Sequence, residues 1–160
     1  MDRGAIRVHR VGPDELEAYV AVPMRLVVSQ RLVPGSPPYR SPLPVAPVDP
    51  SYVKDYAPGT PRAQIAGLTA FRADTTAHVV ATADGQAVGG ATTLHACPAY
   101  ALLGGREDLL TLRGLRVHPA WRRRGCARLL LRHVVKWALR ASLAEIQVET
   151  QDVNVPARHT

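Results

Sequence analysis

Lysine is nearly absent from this chain: Lys54 and Lys136 are its only two, so its 20 basic residues are almost all arginine. Aromatic side chains are scarce as well, at 5% with a single Phe. Cysteine is limited to Cys97 and Cys126, which excludes a disulfide framework and a cysteine-based metal site. The histidines (His9, His78, His95, His118, His133 and His159) are scattered, and none forms a metal-ligand pair. No apolar run approaches the roughly 20 residues that a membrane span needs. Met1 to Arg7 contains no apolar h-region of the kind a secretory signal carries. Nucleophile elbows and Walker phosphate loops are also missing. A soluble, cytoplasmic protein with no membrane partner is the expectation.

What is present suits a single domain over residues 1–160. Hydrophobic content is 46% and charged content 21% across 160 residues, ordinary values for a globular chain that buries about 70% of its unfolded surface. The formal net charge of +7 favours polyanionic ligands. A nucleic-acid surface is one way to use such charge. Few lysines, no interleaved aromatics and no helix-turn-helix argue against it, so no nucleic-acid partner is expected.

Ala5 to Val11 alternates apolar and polar residues as a half-buried strand does. Gly12-Pro13-Asp14 turns the chain into a helix carrying Leu16, Tyr19 and Val20, with a break at Pro23. Met24 to Val33 reads as a second helical piece. Residues 34–61 are crowded with proline and read as a loop insertion, either partly ordered near an acceptor site or disordered. Tyr39, Tyr52 and Tyr56 interrupt it and could line a pocket. Thr60 and Pro61 then supply an N-cap and a first helical position for a helix bearing Ala63, Ile65, Leu68 and Phe71.

A hairpin follows, with runs 76–83 and 86–96 joined by Asp84-Gly85. The next strand covers Leu109 to Val117, and Gly114 is a bulge position within it. Cys126 to Ser142 forms the longest helix, with Ala127, Leu130, Leu131, Val134, Val135 and Ala138 on its apolar face. Arg128, Arg132, Lys136 and Arg140 recur every fourth residue on another flank, and a solvated face accounts for the far end of that stripe. Ala144 to Gln151 is a strand that completes a βαβ crossover.

Between the strand and the long helix lies Arg122-Arg123-Arg124-Gly125-Cys126-Ala127-Arg128. A glycine there lets backbone approach a ligand, and the first helix amides lack intrahelical partners beside a positive dipole end. With three arginines and Arg128 in the first turn, the stretch predicts a phosphate or pyrophosphate site. Helix N-termini can lower a thiol pKa, but Cys126 is read as a small residue inside the turn rather than a nucleophile.

Arg122-x-x-Gly125-x-Ala127, preceded by an apolar strand with its Val117-x-Pro119 exit and followed by an amphipathic helix, resembles motif A of the GNAT superfamily of N-acetyltransferases. The resemblance implies an α/β (α+β type) fold: a mixed, mostly antiparallel sheet flanked by helices, with one parallel strand pair splayed at the cofactor site. It implies acetyl-CoA as co-substrate, with Leu115, Arg116 and Val117 along the pantetheine arm and Arg122, Arg123, Arg124, Gly125, Cys126, Ala127 and Arg128 around the phosphates. Asn154 and Ala157 are similar to the family's Asn-x-x-Ala segment, which gives Asn154 a coenzyme contact. The Glu149-Thr150-Gln151 run is similar to streptothricin acetyltransferases and related antibiotic-modifying enzymes. In the family pattern a tyrosine that often acts as general acid would fall one residue beyond Thr160, and the last helix and final antiparallel strand pair would follow. The fold class implied is therefore a C-terminally truncated one, whose unpaired apolar edge invites a homodimer.

Acetyl transfer to an amine needs a base for the amine proton and donors for the oxyanion. By resemblance to ribosomal-protein acetyltransferases, Glu149 is the first candidate for that base, against a plain solvent-facing carboxylate. Glu107 and Asp108 are weaker candidates, and Thr111 stands where many relatives carry an acid. The function expected is acetyl-CoA-dependent N-acetylation of a primary amine on a small molecule, with antibiotics among the acceptors. The alternative is a truncated, catalytically weak coenzyme A-binding module.

Overall fold

The computed structural model describes residues 5–33, 35, 43–97, 99, 100 and 103–159. The chain divides into two compact units, residues 1–24 with 58–149, and residues 25–57 with 150–160.

The first unit is built on a sheet whose order is β1-β4-β5-β6-β7 among the described residues. Strand β1 (Arg7–Val11) leads through a 3-10 turn into α1 (Leu16–Val20), where Leu16, Tyr19 and Val20 are buried as their spacing predicts. Helix α2 (Pro61–Thr69) starts at the expected cap, with Thr60 Oγ1 accepting from the Ala63 amide at 3.2 Å. Strands β4 (Thr76–Ala83) and β5 (Gln86–His95) form the expected hairpin. Both residues of its turn take positive φ (Asp84 50°, Gly85 75°), the conformation that favours Asp-Gly. Strand β6 (Leu109–Val117) pairs antiparallel with β5 and parallel with β7 (Glu145–Val148). Helix α3 (Cys126–Arg140) makes the crossover between β6 and β7. The mixed, mostly antiparallel sheet with one parallel pair is the fold class expected.

Helix α3 buries Cys126, Leu130, Val134 and Ala138, one residue per turn. The expected apolar face was too wide, since Val135 is exposed. Leu110, Leu112 and Val79 meet this helix, with Leu115 and Val117 packed beside them. On the other face of the sheet, Tyr19, Leu16 and Val80 form a second cluster, against which Ile65 and Leu68 pack.

Two consecutive glycines set how closely helices approach both faces. A Cβ on Gly89 would lie 2.7 Å from Cys126 Sγ and 3.1 Å from Leu130 Cδ1. A Cβ on Gly90 would lie 2.6 Å from the Tyr19 ring and 3.1 Å from the Val79 carbonyl. Successive strand residues point to opposite faces, so Gly89 admits α3 and Gly90 admits α1.

The second unit corrects two expectations. Met24 to Val33 is not helical: Arg25–Leu32 is strand β2, paired antiparallel with β3 (Val45–Asp55). The β-branched pair Val27-Val28 suits an extended chain, and β3 supplies a partner that local reading could not foresee. The proline-rich 34–61 segment is therefore not one loop. Residues 45–55 are strand, and Pro61 opens α2. Pro47 and Pro50 are tolerated because each strand of a two-stranded ribbon has an edge that needs no donors. The Asp49-Pro50 peptide is cis. Tyr39, with residues 34, 36–38 and 40–42, lies outside the described residues. The Leu32 amide donates to the Asp152 carbonyl at 2.9 Å, joining β2 to the C-terminal segment, and Val155–His159 forms a 3-10 turn.

Replacing Gly90 with alanine forces the Tyr19 ring or the β4 backbone to move. We expect Gly90→Ala to cost about 1–3 kcal/mol in urea unfolding. An unchanged midpoint would contradict the close approach of α1.

Candidate functional site

Strand β6 changes phase halfway along. Thr92 opposes Gly114 while Thr93 opposes Leu112, so Arg113 is the extra residue of a β-bulge. The expected bulge at Gly114 is present, one position wide of it. Ahead of the bulge the Asp108 carbonyl accepts from the Ala144 and Glu145 amides, so even-numbered residues turn their polar groups toward β7. Beyond it the His118 amide bonds the Val88 carbonyl at 2.9 Å, so even-numbered residues now face β5. Leu115 and Val117 consequently present their amides and carbonyls to the other side. Pairing with β7 ends at Leu112 opposite Val148, which leaves that side of β6 an open edge within this unit. The Val117 carbonyl accepts from Arg122 Nε at 3.3 Å, which agrees with its outward direction.

The chain then passes a 3-10 turn, Pro119–Trp121, and reaches the arginine run. Arg123 has φ 61° and Gly125 φ 80°, with no positive φ at Arg124 between them. Alternating-hand residues turn successive N–H groups toward one point, forming an anion-binding concavity. Gly125 caps α3 without any side-chain hydrogen bond to the first turn. Arg122, Arg123, Arg124 and Arg128 are all exposed, and the Arg124 guanidinium lies 5.6 Å from the Trp121 ring centroid. Charge, dipole and backbone donors therefore converge at one end of the open edge. Sequence reasoning located the turn but not the left-handed Arg123.

Not every residue of this stretch points a side chain outward. Cys126 is buried, its Sγ 3.9 Å from the Val88 carbonyl, and burial pushes its thiol pKa up rather than down. Ala127 is half-buried. Arg116 is a larger correction to a side-chain role, because it is 5% exposed on the α1 face. Its guanidinium donates to the Tyr19 and Val22 carbonyls at 3.2 and 3.1 Å and lies 4.1 Å from the Tyr19 ring centroid. It takes up the carbonyls at the C-terminal end of α1, where a cation is favoured. Strict alternation between Leu115 and Val117 was the signal that could have placed Arg116 opposite them.

The candidate bases separate in space. Glu149 is exposed one residue past β7. Asp108 is held by Arg106 at 2.8 Å, and the same guanidinium reaches Glu145 at 2.6 Å. That pairing lowers the Asp108 pKa, so it makes a poor proton acceptor. Thr111 is buried, with its hydroxyl lacking a partner among the described residues. Asn154 belongs to the second unit, where its amide donates to the Gln151 carbonyl and its own carbonyl accepts from Ala157, both at 3.0 Å. His78 lies under α1, its Nδ1 3.1 Å from Thr92 Oγ1, and burial with Arg113 and Arg10 nearby drives its pKa down to about 4.

An open strand edge leading into an alternating-hand, arginine-rich turn has the geometry to take an extended, phosphorylated ligand. Residues 45–160 match the model of the acetyltransferase (GNAT) family, and the chain belongs to that family. A nourseothricin acetyltransferase has a similar structure, with TM-score 0.69 and 21% identity over 97% of this chain and 79% of that one. A putative streptothricin acetyltransferase from Bacillus anthracis, solved with acetyl coenzyme A, gives TM-score 0.72 and 18% identity over 97% and 80%. The aminoglycoside N-acetyltransferase AAC(6')-Iy, solved with CoA, gives 0.65 and 20% over 98% and 84%. No curated protein matches the chain in sequence.

Two outcomes follow from these contacts. Arg116→Ala strands two buried carbonyls and is expected to cost about 2–4 kcal/mol in chemical denaturation, with Arg116→Lys recovering part. A loss below about 0.5 kcal/mol would contradict the buried role. Because the folded state keeps His78 neutral while the unfolded chain protonates near 6.5, its contribution to stability is complete above that pH. It is lost progressively as pH falls from 6.5 toward 4. His78→Gln should flatten that part of the stability-pH curve, and a curve of unchanged slope would count against it.

Proposed function

We propose that this protein transfers the acetyl group of acetyl-CoA to a primary amine of a small molecule by direct attack of the amine on the thioester. The two units act together as one acetyltransferase domain in this reading. The observation that carries it is the open edge of β6 running into the alternating-hand turn at Arg123 and Gly125. Outward amides of Leu115 and Val117 suit the two amide groups of a pantetheine arm. The backbone of Arg124 to Ala127, with the side chains of Arg122, Arg123, Arg124 and Arg128, suits the pyrophosphate. Arg116 only spaces the Leu115 and Val117 amides, its own amide facing β5, and Asn154 is carried over from the family resemblance as a coenzyme contact.

Acetyl-CoA supplies an activated acyl carbon when bound. The chain's part is to hold it, to offer an amide at the bulge to a developing oxyanion, and to take the amine proton at Glu149, directly or through water. Positioning alone accounts for much of such a rate enhancement. Structural neighbours include enzymes named for streptothricin-type and aminoglycoside antibiotics, so antibiotic amines belong in the first acceptor panel. Two free cysteines fit the cytoplasm, where we expect the enzyme to work, and the second side of β7 gives a homodimer one edge to use.

Titration calorimetry with acetyl-CoA tests the coenzyme half. Micromolar binding that is abolished in Gly125→Glu is expected, since any side chain there strains a left-handed backbone and a carboxylate repels phosphate. Absence of binding by folded wild-type protein would sink the reading. For the chemical half, Glu149→Gln should lower kcat by about 10–100-fold and remove the acidic limb of the pH-rate profile. An unaltered profile would assign the base elsewhere.

A further inference from the structure

The positive charge of this chain is confined to one stretch. Residues 109–144 hold nine of the 20 basic residues and none of the 13 acidic ones, so the rest of the chain is net negative. Arg113 and Arg116 reach α2 and α1. The other seven belong to α3 and the turn that opens it, and all are exposed. Four of these surround the arginine-rich turn. Arg132, Lys136 and Arg140 continue away from it, on a row that runs about 18 Å from Arg128 to Arg140 at 1.5 Å per residue. Like charges at this spacing weaken a helix, and α3 carries no carboxylate to offset them. Only Arg140, in the last turn, gains from the helix dipole. The same face is not simply polar, because Leu139 is 71% exposed and Val135 44%. At 3.6 residues per turn, Arg128, Arg132, Val135, Lys136 and Leu139 fall within an arc of about 100°, opposite the buried Cys126, Leu130, Val134 and Ala138. The outer face of α3 is therefore a straight strip of cations with two aliphatic side chains set among them.

We propose that this face of α3 docks on an anionic lipid surface and holds the protein peripherally on a membrane. Guanidinium groups pair with lipid phosphates through two parallel hydrogen bonds, and a row of them also gains from the negative surface potential. Leu139 and Val135 then enter the headgroup boundary, where aliphatic side chains are favoured. A nucleic-acid strand offers the same phosphates but gives an exposed leucine nothing to bury against. Bases would also need an aromatic platform, and Trp137, the one aromatic residue of α3, is half-buried against His95. No described helix is long and apolar enough to cross a membrane, so the contact is one of α3 lying flat, its buried face still on the sheet. This docking does not depend on the acetyltransferase reading.

The test is cosedimentation of the full chain with vesicles of phosphatidylcholine, alone or with about 30% phosphatidylglycerol, at about 50 mM salt. Binding to the anionic vesicles only, and its loss at about 1 M salt, are expected. Arg132→Gln, Lys136→Gln and Arg140→Gln together should weaken it by about tenfold or more, with the helix signal in circular dichroism intact and acetyl-CoA affinity changed far less. Leu139→Gln alters no charge and should still weaken vesicle binding by about threefold or more. The proposal is overturned if folded protein ignores anionic vesicles, if the triple variant binds them undiminished, or if Leu139→Gln has no effect. Tighter binding, at equal charge concentration, to an oligonucleotide or to polyglutamate also overturns it and assigns the face to nucleic acid or to an acidic protein.

Discussion

The β-bulge at Arg113 is the constraint on which the first unit depends. One extra residue in β6 exchanges which amides face β5 and which face the β7 side, without disturbing side-chain burial. Leu110 and Leu112 ahead of it, and Leu115 and Val117 after it, all point at α3. The strand therefore keeps a continuous apolar face while its polar edge changes partner. Before the bulge that edge is used by β7, and after it the edge is open. A regular strand would have turned either its apolar residues or its amides the wrong way.

Two features hold this arrangement in place. Gly89 and Gly90 let α3 and α1 pack directly on the backbone of β5, the strand that pairs with the bulged one. Arg116 reaches from β6 to the end of α1 with two hydrogen bonds and a ring contact. Gly114 completes the set, because a Cβ there would stand 3.2 Å from Tyr19 Oη. Tyr19 is thus enclosed by Gly90, Gly114, His78 and Arg116. Packing of its neighbours, not pairing of the edge itself, holds the open edge in place.

Much of this was legible in the sequence where chemistry is local. Asp84-Gly85 marked the hairpin, Thr60-Pro61 marked the start of α2, and Arg122-x-x-Gly125-x-Ala127 marked the arginine-rich turn that opens α3. The phase change was also written there: apolar residues fall at 110 and 112, then at 115 and 117, with a three-residue step across Arg113-Gly114. What depended on distant partners was not legible. β2 was read as helix because its partner β3 lies in a segment whose prolines suggested loop. Arg116 was placed along the pantetheine arm by the family resemblance, whereas its side chain faces α1. Cys126 was read as a small residue inside the turn rather than a nucleophile, but its packing against Gly89 depends on a distant strand and was not foreseen.

The central claim is that the amides of Leu115 and Val117 are the ones offered to an extended ligand, and Arg116 is not. Residue-resolved amide hydrogen exchange, with and without saturating CoA, tests it directly. Protection should rise at Leu115 and Val117 and stay unchanged at Arg116, whose amide already pairs across to β5. Equal protection along 115–117, or no change at 115 and 117 in a protein that binds CoA, would contradict the account.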